Sequence, residues 1–362
     1  MRRGNKTTLQ DVADAAGVSC MVASVVLNNA RSTTRVSAST REKILEAGLR
    51  LNYRRNAAAV GLSKRKMDTI GVVATIDGYE VNLYVLELLN GILESAAAVG
   101  QNCTVFAIKS WQLEEHRLLD FCDGRIDGLI LIAPVLTKSV ADNLPHHSPL
   151  VTINSDTNIP YAHNLDVNNR EAAYRAVDHL VKLGHRQILH ISGGTIITNS
   201  VHRTEGYIDA LHDNGLEVDP ALIVHGGFSE WTGRHSMNTW FDEGRSAPSA
   251  IFCGSDAIAA GCMEVLATRG FNVPSDVSVV GFDDTILART TSPPLTTVKQ
   301  PFREMGRQAV QLVMEQIASD GEQDDQAEAD AVAETEPVEM QTDVFRAELM
   351  VRHSTAAPRA TA

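Results

Sequence analysis

Apolar positions recur at helical spacing through the first fifty residues, then as short runs separated by helical stretches. Leu9, Val12, Ala13 and Ala16 fall on one helical face. Thr8-Leu9-Gln10-Asp11 before that face sets an acid three residues after a capping hydroxyl, which predicts a helix start. Gly17 stands where the helix must end in a residue of positive φ. Ser19 can cap a second helix running to about Leu27, and a third begins near Ser37 with Ile44, Leu45 and Leu51 as its apolar stripe. Two helices joined by a tight glycine turn and braced by a third predict a helix-turn-helix head. Taken alone, a capped helix followed by glycine also occurs in enzymes.

Beyond the head, Ile70–Ala74, Gly128–Ile132, Leu150–Ile153, Gln187–Ser192, Ala250–Cys253 and Ser278–Gly281 are short runs rich in valine and isoleucine. Runs apolar on both faces suit buried parallel strands, and their alternation with helical stretches predicts βαβ units. The fold class is therefore α/β, with a ligand cleft expected at the C-terminal ends of the strands.

Charge separates the two parts. Residues 1–66 hold 13 Lys or Arg against 4 Asp or Glu, a net +9, while the remainder is −22 within a total of −13. A basic head on an acidic body points to a polyanion partner for the head, with a merely solvated basic face as the alternative. Residues 319–343 carry ten acidic side chains and no basic one. Such a composition buries too little surface to offset ordering, so a disordered acidic insertion is expected there. Five scattered cysteines, none spaced CxxC, predict a reducing compartment with no disulfide framework and no metal cluster. No apolar run of roughly eighteen residues occurs, and a polar helical stretch follows the basic N-terminus, so a cytoplasmic chain without membrane contact is expected.

Thr8–Ala13, Ala16–Ser19, Val26–Asn28, Val36-Ser37 and Thr40-Arg41 resemble the head of the lactose-repressor/galactose-repressor family. Asn52-Tyr53, Asn56, Ala59 and Leu62 continue the likeness through the hinge. Leu183–Ile188, Gly270–Asp284 and Pro294–Pro301 extend it into the core, so it covers about residues 7–317 and 345–356. The resemblance implies a head over 1–54, a hinge helix and linker over 55–67, and a two-lobed type I periplasmic-binding-protein-like core of parallel sheets over 68–356. The N-lobe would span about 68–164 and 295–317 and the C-lobe about 165–294, with three crossings between them.

It also implies roles. Thr8, Ser19, Cys20, Met21, Val22, Ser24, Val25, Asn28, Arg35 and Arg41 would meet DNA, with Arg2, Arg3, Lys6 and Arg31 adding phosphate contacts. Asn56, Ala59 and Leu62 would act in a hinge that orders on DNA, Leu62 as a minor-groove wedge. Cys20, Met21 and Val25 stand at positions that usually read bases, and Val25 replaces an arginine common among relatives. A helix apolar almost all round leaves open that it is simply buried. For an effector, the likeness implies Asn82, Tyr84, Asp166, Arg203, Phe228, Ser255 and Asp283. Neighbouring Asp256 is expected to cap a helix, and an interlobe salt bridge is the bland role for Arg203. An arginine, acids and an aromatic suit a sugar or sugar derivative, and would also suit a nucleobase.

The expected protein is a ligand-responsive transcription regulator, a repressor of carbohydrate-related genes that binds a pseudo-palindromic double-stranded operator as a homodimer, without cofactor or metal. A solute-binding protein of a transport system would share the core but not the basic head. An enzyme would need a chemical constellation, and the sequence has no HExxH, GxSxG, P-loop or GxGxxG. His190, His202 and His225 lack ligand spacing and are read as surface or structural residues.

Overall fold

The computed structural model describes residues 7–28, 35–56, 59–61, 66–77, 80–145, 148–195, 197–324 and 340–359. Arg2, Arg3, Lys6, Arg31 and Leu62 lie outside the described residues, as does 325–339 of the acidic segment. The chain forms two compact units, Met1–Asp68 with Gly124–Asp127, and Thr69–Asp123 with Gly128–Ala362.

In the first unit, α1 (Leu9–Ala16) opens on the expected box: Asp11 N–H donates to Thr8 Oγ1 at 3.2 Å, and Thr8 N–H donates to Asp11 Oδ2 at 2.7 Å. Gly17 closes it at φ 67°, a left-handed turn that a side chain would strain. Ser19 Oγ then accepts from Val22 N–H at the start of α2 (Cys20–Asn28), and Ser37 Oγ from Thr40 N–H at the start of α3 (Ala38–Arg50). Val12, Ala13, Ala23, Val26, Leu27, Ile44 and Ala47 make a small shared core. Leu45 departs from the expected stripe and is 45% exposed. From Ile44, the inward positions at i+3 and i+4 are Ala47 and Gly48, whose small side chains let α3 approach α2 closely. After the head, Val60 N–H donates to the Asn56 carbonyl, and Ala59 is exposed.

The second unit has two sheets. The first runs β12 (Gln341–Phe345), β6 (His163–Val167), β5 (Leu150–Ile153), β4 (Gly128–Ile132), β1 (Thr69–Asp77), β2 (Glu80–Val81), with β3 (Asn102–Ile108) also on β1. The second runs β13 (Glu348–Met350), β11 (Thr296–Lys299), β10 (Ser278–Asp283), β9 (Ala250–Cys253), β7 (Ile188–Ser192), β8 (Ile223–His225). All pairings are parallel except β1–β2 and β11–β13. In the second lobe Ile188, Ala250, Phe252 and Val280 join one core cluster, while Leu189, Ile251, Cys253 and Val279 join another. Strands buried on both faces need apolar residues at every position, which is why these runs read as continuous. Helices α5 (Asn169–Lys182) and α6 (Thr198–Asp213) cover the first face, and α7 (Glu230–Asp242) and α8 (Asp256–Thr268) the second.

Sheet membership moves the lobe boundaries. β6 belongs to the first sheet, so the first crossing follows Val167 rather than residue 164. β11 belongs to the second sheet, so the return follows Lys299 rather than residue 294. Two strands follow the acidic segment: β12 pairs with β6 and β13 with β11, so the third crossing lies at Arg346 and Ala347. The segment 319–343 is not wholly irregular either. Helix α9 (Phe302–Asp324) continues into it, and β12 begins at Gln341, because packing and strand pairing at its ends override acidic composition.

α9 packs on α4 (Leu83–Ala98) through glycines. A Cβ on Gly91 would stand 2.3 Å from the Arg303 carbonyl oxygen, a backbone atom that cannot turn aside. Gly91→Ala is expected to destabilise the second unit by about 1–3 kcal/mol. Thermal unfolding should show a lowered midpoint for the large unit, and an unchanged midpoint would mean that the helices slide apart at no cost.

Candidate functional site

Between the lobes of the second unit lies a cavity of about 390 Å³, within the range for small-molecule sites. The first lobe contributes Asn82, Tyr84, Trp111, Asn154 and Asp156, and the second contributes Asn199, Arg203, Phe228, Ser255, Asp283 and Thr285.

Arg203 on α6 is 5% exposed. Its Nε donates to Asn169 Oδ1 at 2.9 Å and its Nη1 to the Gly254 carbonyl at 2.5 Å, with Asp283 Oδ1 at 3.7 Å from Nη1. The guanidinium carbon lies 3.8 Å from the Phe282 ring centre and 5.6 Å from that of Phe228. All these partners belong to the second lobe, so the arginine is not an interlobe salt bridge. Burial lowers its pKa, opposed first by Asp283, and an arginine stays charged regardless.

Asp283 ends β10 at φ 114°, a conformation L residues rarely adopt and which costs on the order of 1–3 kcal/mol. Burial pushes its carboxyl up to about 6 against the pull of Arg203 and of Gln300 Nε2, which donates to Oδ1 at 2.7 Å. Phe228 reaches the cavity because Gly193 has no side chain: a Cβ there would lie 2.0 Å from the ring. Tyr84 accepts at its hydroxyl from Asn154 Nδ2 at 2.8 Å, and burial pushes the phenol well up.

Other expected residues take different parts. Asn82 lines the cavity but also caps α4, accepting from Tyr84 N–H at 2.9 Å. Ser255 lines it while capping α8 through Ile258 N–H. Asp256 is therefore not the cap. Fully buried, its carboxylate accepts from Thr285 N–H and Oγ1 and from Thr297 Oγ1, tying α8 to the ends of β10 and β11. Burial and then the nearby Asp283 charge raise its pKa well above the usual range. Asp166 is not among the lining residues; its Oδ1 turns back to accept Val167 N–H at 2.7 Å.

Trp111, Asn154, Asp156, Asn199 and Thr285 were missed. Asn154, Asp156 and Thr285 sit on loops after strands, and Trp111 and Asn199 in the first turn of a helix, where a single residue carries no periodic signal. Asp156 crosses the cleft: its Oδ2 accepts from Thr198 N–H at 3.0 Å, at the head of α6, and burial raises its pKa. Among the described residues no group of three or more His, Cys, Asp or Glu is placed to hold a metal ion, and no single helix is long and apolar enough to cross a membrane.

In the head, α2 is not buried all round. Met21, Ser24, Val25 and Asn28 form one stripe at i, i+3, i+4 and i+7, with Met21 68% exposed and the others half-buried. Cys20 and Val22, also expected to meet DNA, are half-buried and pack partly against the head's core. Thr8 and Ser19 serve as caps, and Arg35 and Arg41 are exposed.

A helix-turn-helix head and a two-lobed cleft of this kind define a DNA-binding regulator controlled by a small molecule. Residues 8–56 match the family of bacterial regulatory proteins of the lacI family, and residues 177–355 match a periplasmic binding protein-like domain. The chain is 32% identical to the HTH-type transcriptional repressor PurR of Vibrio atlanticus, over 86% of this chain and 92% of that one. It is 33% identical to catabolite control protein A of Priestia megaterium, over 84% and 91%. Among solved structures, a lac repressor dimer bound to operator superposes with a TM-score of 0.77 at 26% identity, covering 98% of this chain and all of that one. The regulator CelR in complex with cellobiose gives 0.67 at 28% identity, covering 96% and 99%. The chain belongs to the lacI family: it is a ligand-responsive, DNA-binding transcriptional repressor, not an enzyme and not a transport solute-binding protein.

His190, beneath the cleft on β7, is fully buried between the Tyr207 and Phe252 rings, with Nδ1 on the Phe252 carbonyl and Nε2 on Thr204 Oγ1. Burial lowers its pKa from 6.5 to about 4, so the folded state refuses a proton that the unfolded chain accepts. Its contribution to stability is complete above pH 6.5 and is lost as pH falls towards 4. Asp283 acts in the opposite sense, since its raised pKa lets the folded state hold an extra proton between about 3.8 and 6. Denaturant titrations from pH 7 to pH 4 should show a shallower loss of stability in His190→Gln than in the parent, and a steeper one in Asp283→Asn. Equal slopes in all three proteins would contradict these assignments.

Proposed function

We propose that the cleft binds a sugar or sugar derivative and that its occupancy sets the affinity of a dimer for a pseudo-palindromic operator. The observation that carries this is the buried Arg203 facing Asp283 on a cavity that both lobes wall. Arg203 Nη2 takes part in none of the bonds described above, and in this reading it donates to ligand oxygens while Asp283 accepts hydroxyl protons. Phe228 stacks on the apolar face of the ring, and Tyr84, Asn154 and Asp156 meet it from the first lobe. Asn82 and Ser255 line the same space, and Asp166 acts from behind through the backbone.

Asp156 is held by the head of α6, Tyr84 by Asn154 and Asp283 by Gln300, so an effector touching both lobes favours one lobe arrangement over others. It changes DNA affinity only as far as that preference goes. In the head, Thr8, Ser19, Arg35 and Arg41 contact backbone phosphates and set the register, giving a steep salt dependence. Asn56 and Ala59 belong to the hinge turn that orders on DNA. Two heads on two half-sites match the symmetry of a dimer to that of the operator. The site of action is the cytoplasm, where the operator is, and the regulated genes are those of carbohydrate use.

The test is a thermal-shift screen of sugars, phosphorylated sugars and purines, followed by operator binding with and without each hit. A sugar that shifts both supports the reading. A purine alone would move the ligand class, and no hit from any class would remove the cleft from the account. With the hit in hand, Arg203→Lys keeps the charge but loses the planar fork, so operator binding should persist while the effector concentration needed rises by tenfold or more. Effector affinity should also fall as pH drops through 6, where Asp283 gains its proton, and the drop should be absent in Asp283→Asn.

A further inference from the structure

The outward stripe of α2 has an unusual chemistry for a helix that enters a DNA groove. The second helix of a helix-turn-helix head presents to base edges whatever face it does not pack inward. Here Ala23, Val26 and Leu27 are buried, Cys20 and Val22 lean on the same core, and Met21, Ser24, Val25 and Asn28 face out. Met21 and Val25 carry no hydrogen-bonding group fit for a base. The two polar members engage each other, Asn28 Nδ2 donating to Ser24 Oγ at 3.3 Å. The stripe holds no arginine, lysine or glutamine, and its one asparagine has a buried Oδ1 and turns its Nδ2 to Ser24, so it presents no bidentate partner to guanine or adenine. What an apolar side chain can recognise in the major groove is the C5-methyl group of thymine.

We propose that this repressor reads its half-site through thymine methyl groups, with Met21 and Val25 as the specificity-determining side chains. The surrounding positive charge of the head supplies affinity without sequence, so the apolar pair need only discriminate. Methionine is flexible and fits around a methyl wherever the groove places it, whereas valine is stiff at χ1 and demands one position. Val25 is the stricter reader for that reason. The inference rests on the DNA-binding reading of the head and adds which bases are read.

The experiment uses the full-length protein and does not depend on a variant that could misfold. Preferred duplexes are first selected from random DNA, and each thymine of the selected half-site is then replaced singly by deoxyuridine, which removes only the methyl. Affinity is read by fluorescence anisotropy. At one or two thymines of each half-site the replacement should weaken binding about fourfold, the worth of one buried methyl. Val25→Ala should bind the uridine and thymidine duplexes at that position alike, and Val25→Arg should shift selection there towards guanine. Uridine tolerated at every position, or half-sites fixed by guanine with the wild-type protein, would overturn the proposal while leaving the repressor reading intact. Failure to select any sequence would overturn both.

Discussion

The cleft is organised by one buried charge. Removing a guanidinium from water costs several kcal/mol unless its protons and charge are met, and Arg203 is met from four directions. Asn169 begins α5, Gly254 follows β9, Asp283 ends β10 and Phe282 precedes it, so satisfying one side chain brings the C-terminal ends of the second lobe's strands into register. Asp283 pays in turn with a strained backbone and a raised pKa, and Gln300 on the returning chain holds it. The result is a rigid polar floor in the second lobe, facing a first lobe that joins it through three strands of chain. A ligand on that floor meets a site already ordered, and the energy of binding is available for choosing a lobe arrangement.

The parts of this design differ in how openly the sequence displays them. β4 is legible because a strand buried on both faces must be apolar throughout, as Gly128–Ile132 is. β6 is just as central but reads His-Asn-Leu-Asp-Val, since Asn164 is buried with its oxygen on Thr152 Oγ1 and His163 pairs with Asp343. Polar residues satisfied across strands cannot be told from surface ones by pattern, and the first lobe boundary was misplaced on that account. β3 is a different case: Val105–Ile108 is an apolar run, yet of the strand's residues only Ile108 is buried. In the site, Arg203, Asp283 and Phe228 were legible through family likeness, while Asp156 on a loop and Trp111 at the start of a short helix have positions that only the fold fixes. The exchange of Ser255 and Asp256 at the head of α8 is subtler. Either could cap, and only the presence of Thr285 and Thr297 beside Asp256 assigns the cap to the serine.

The head follows another logic. Its core is seven small and medium side chains, so most of its order comes from caps, the left-handed glycine and close helix contact. A unit of that size has little apolar surface to spare for an unmatched outward face. On α2, Met21 is exposed and Val25 half-buried outside that core, whereas Cys20 and Val22 lean on it.

The central claim is that ligand in the cleft and DNA on the head share one equilibrium, and linkage tests it directly. Effector affinity, measured by calorimetry with and without saturating operator, is compared with operator affinity measured with and without saturating effector. The account predicts the same factor of change in both directions, of about 5- to 150-fold. An effector that binds equally well to the free and operator-bound protein would contradict it.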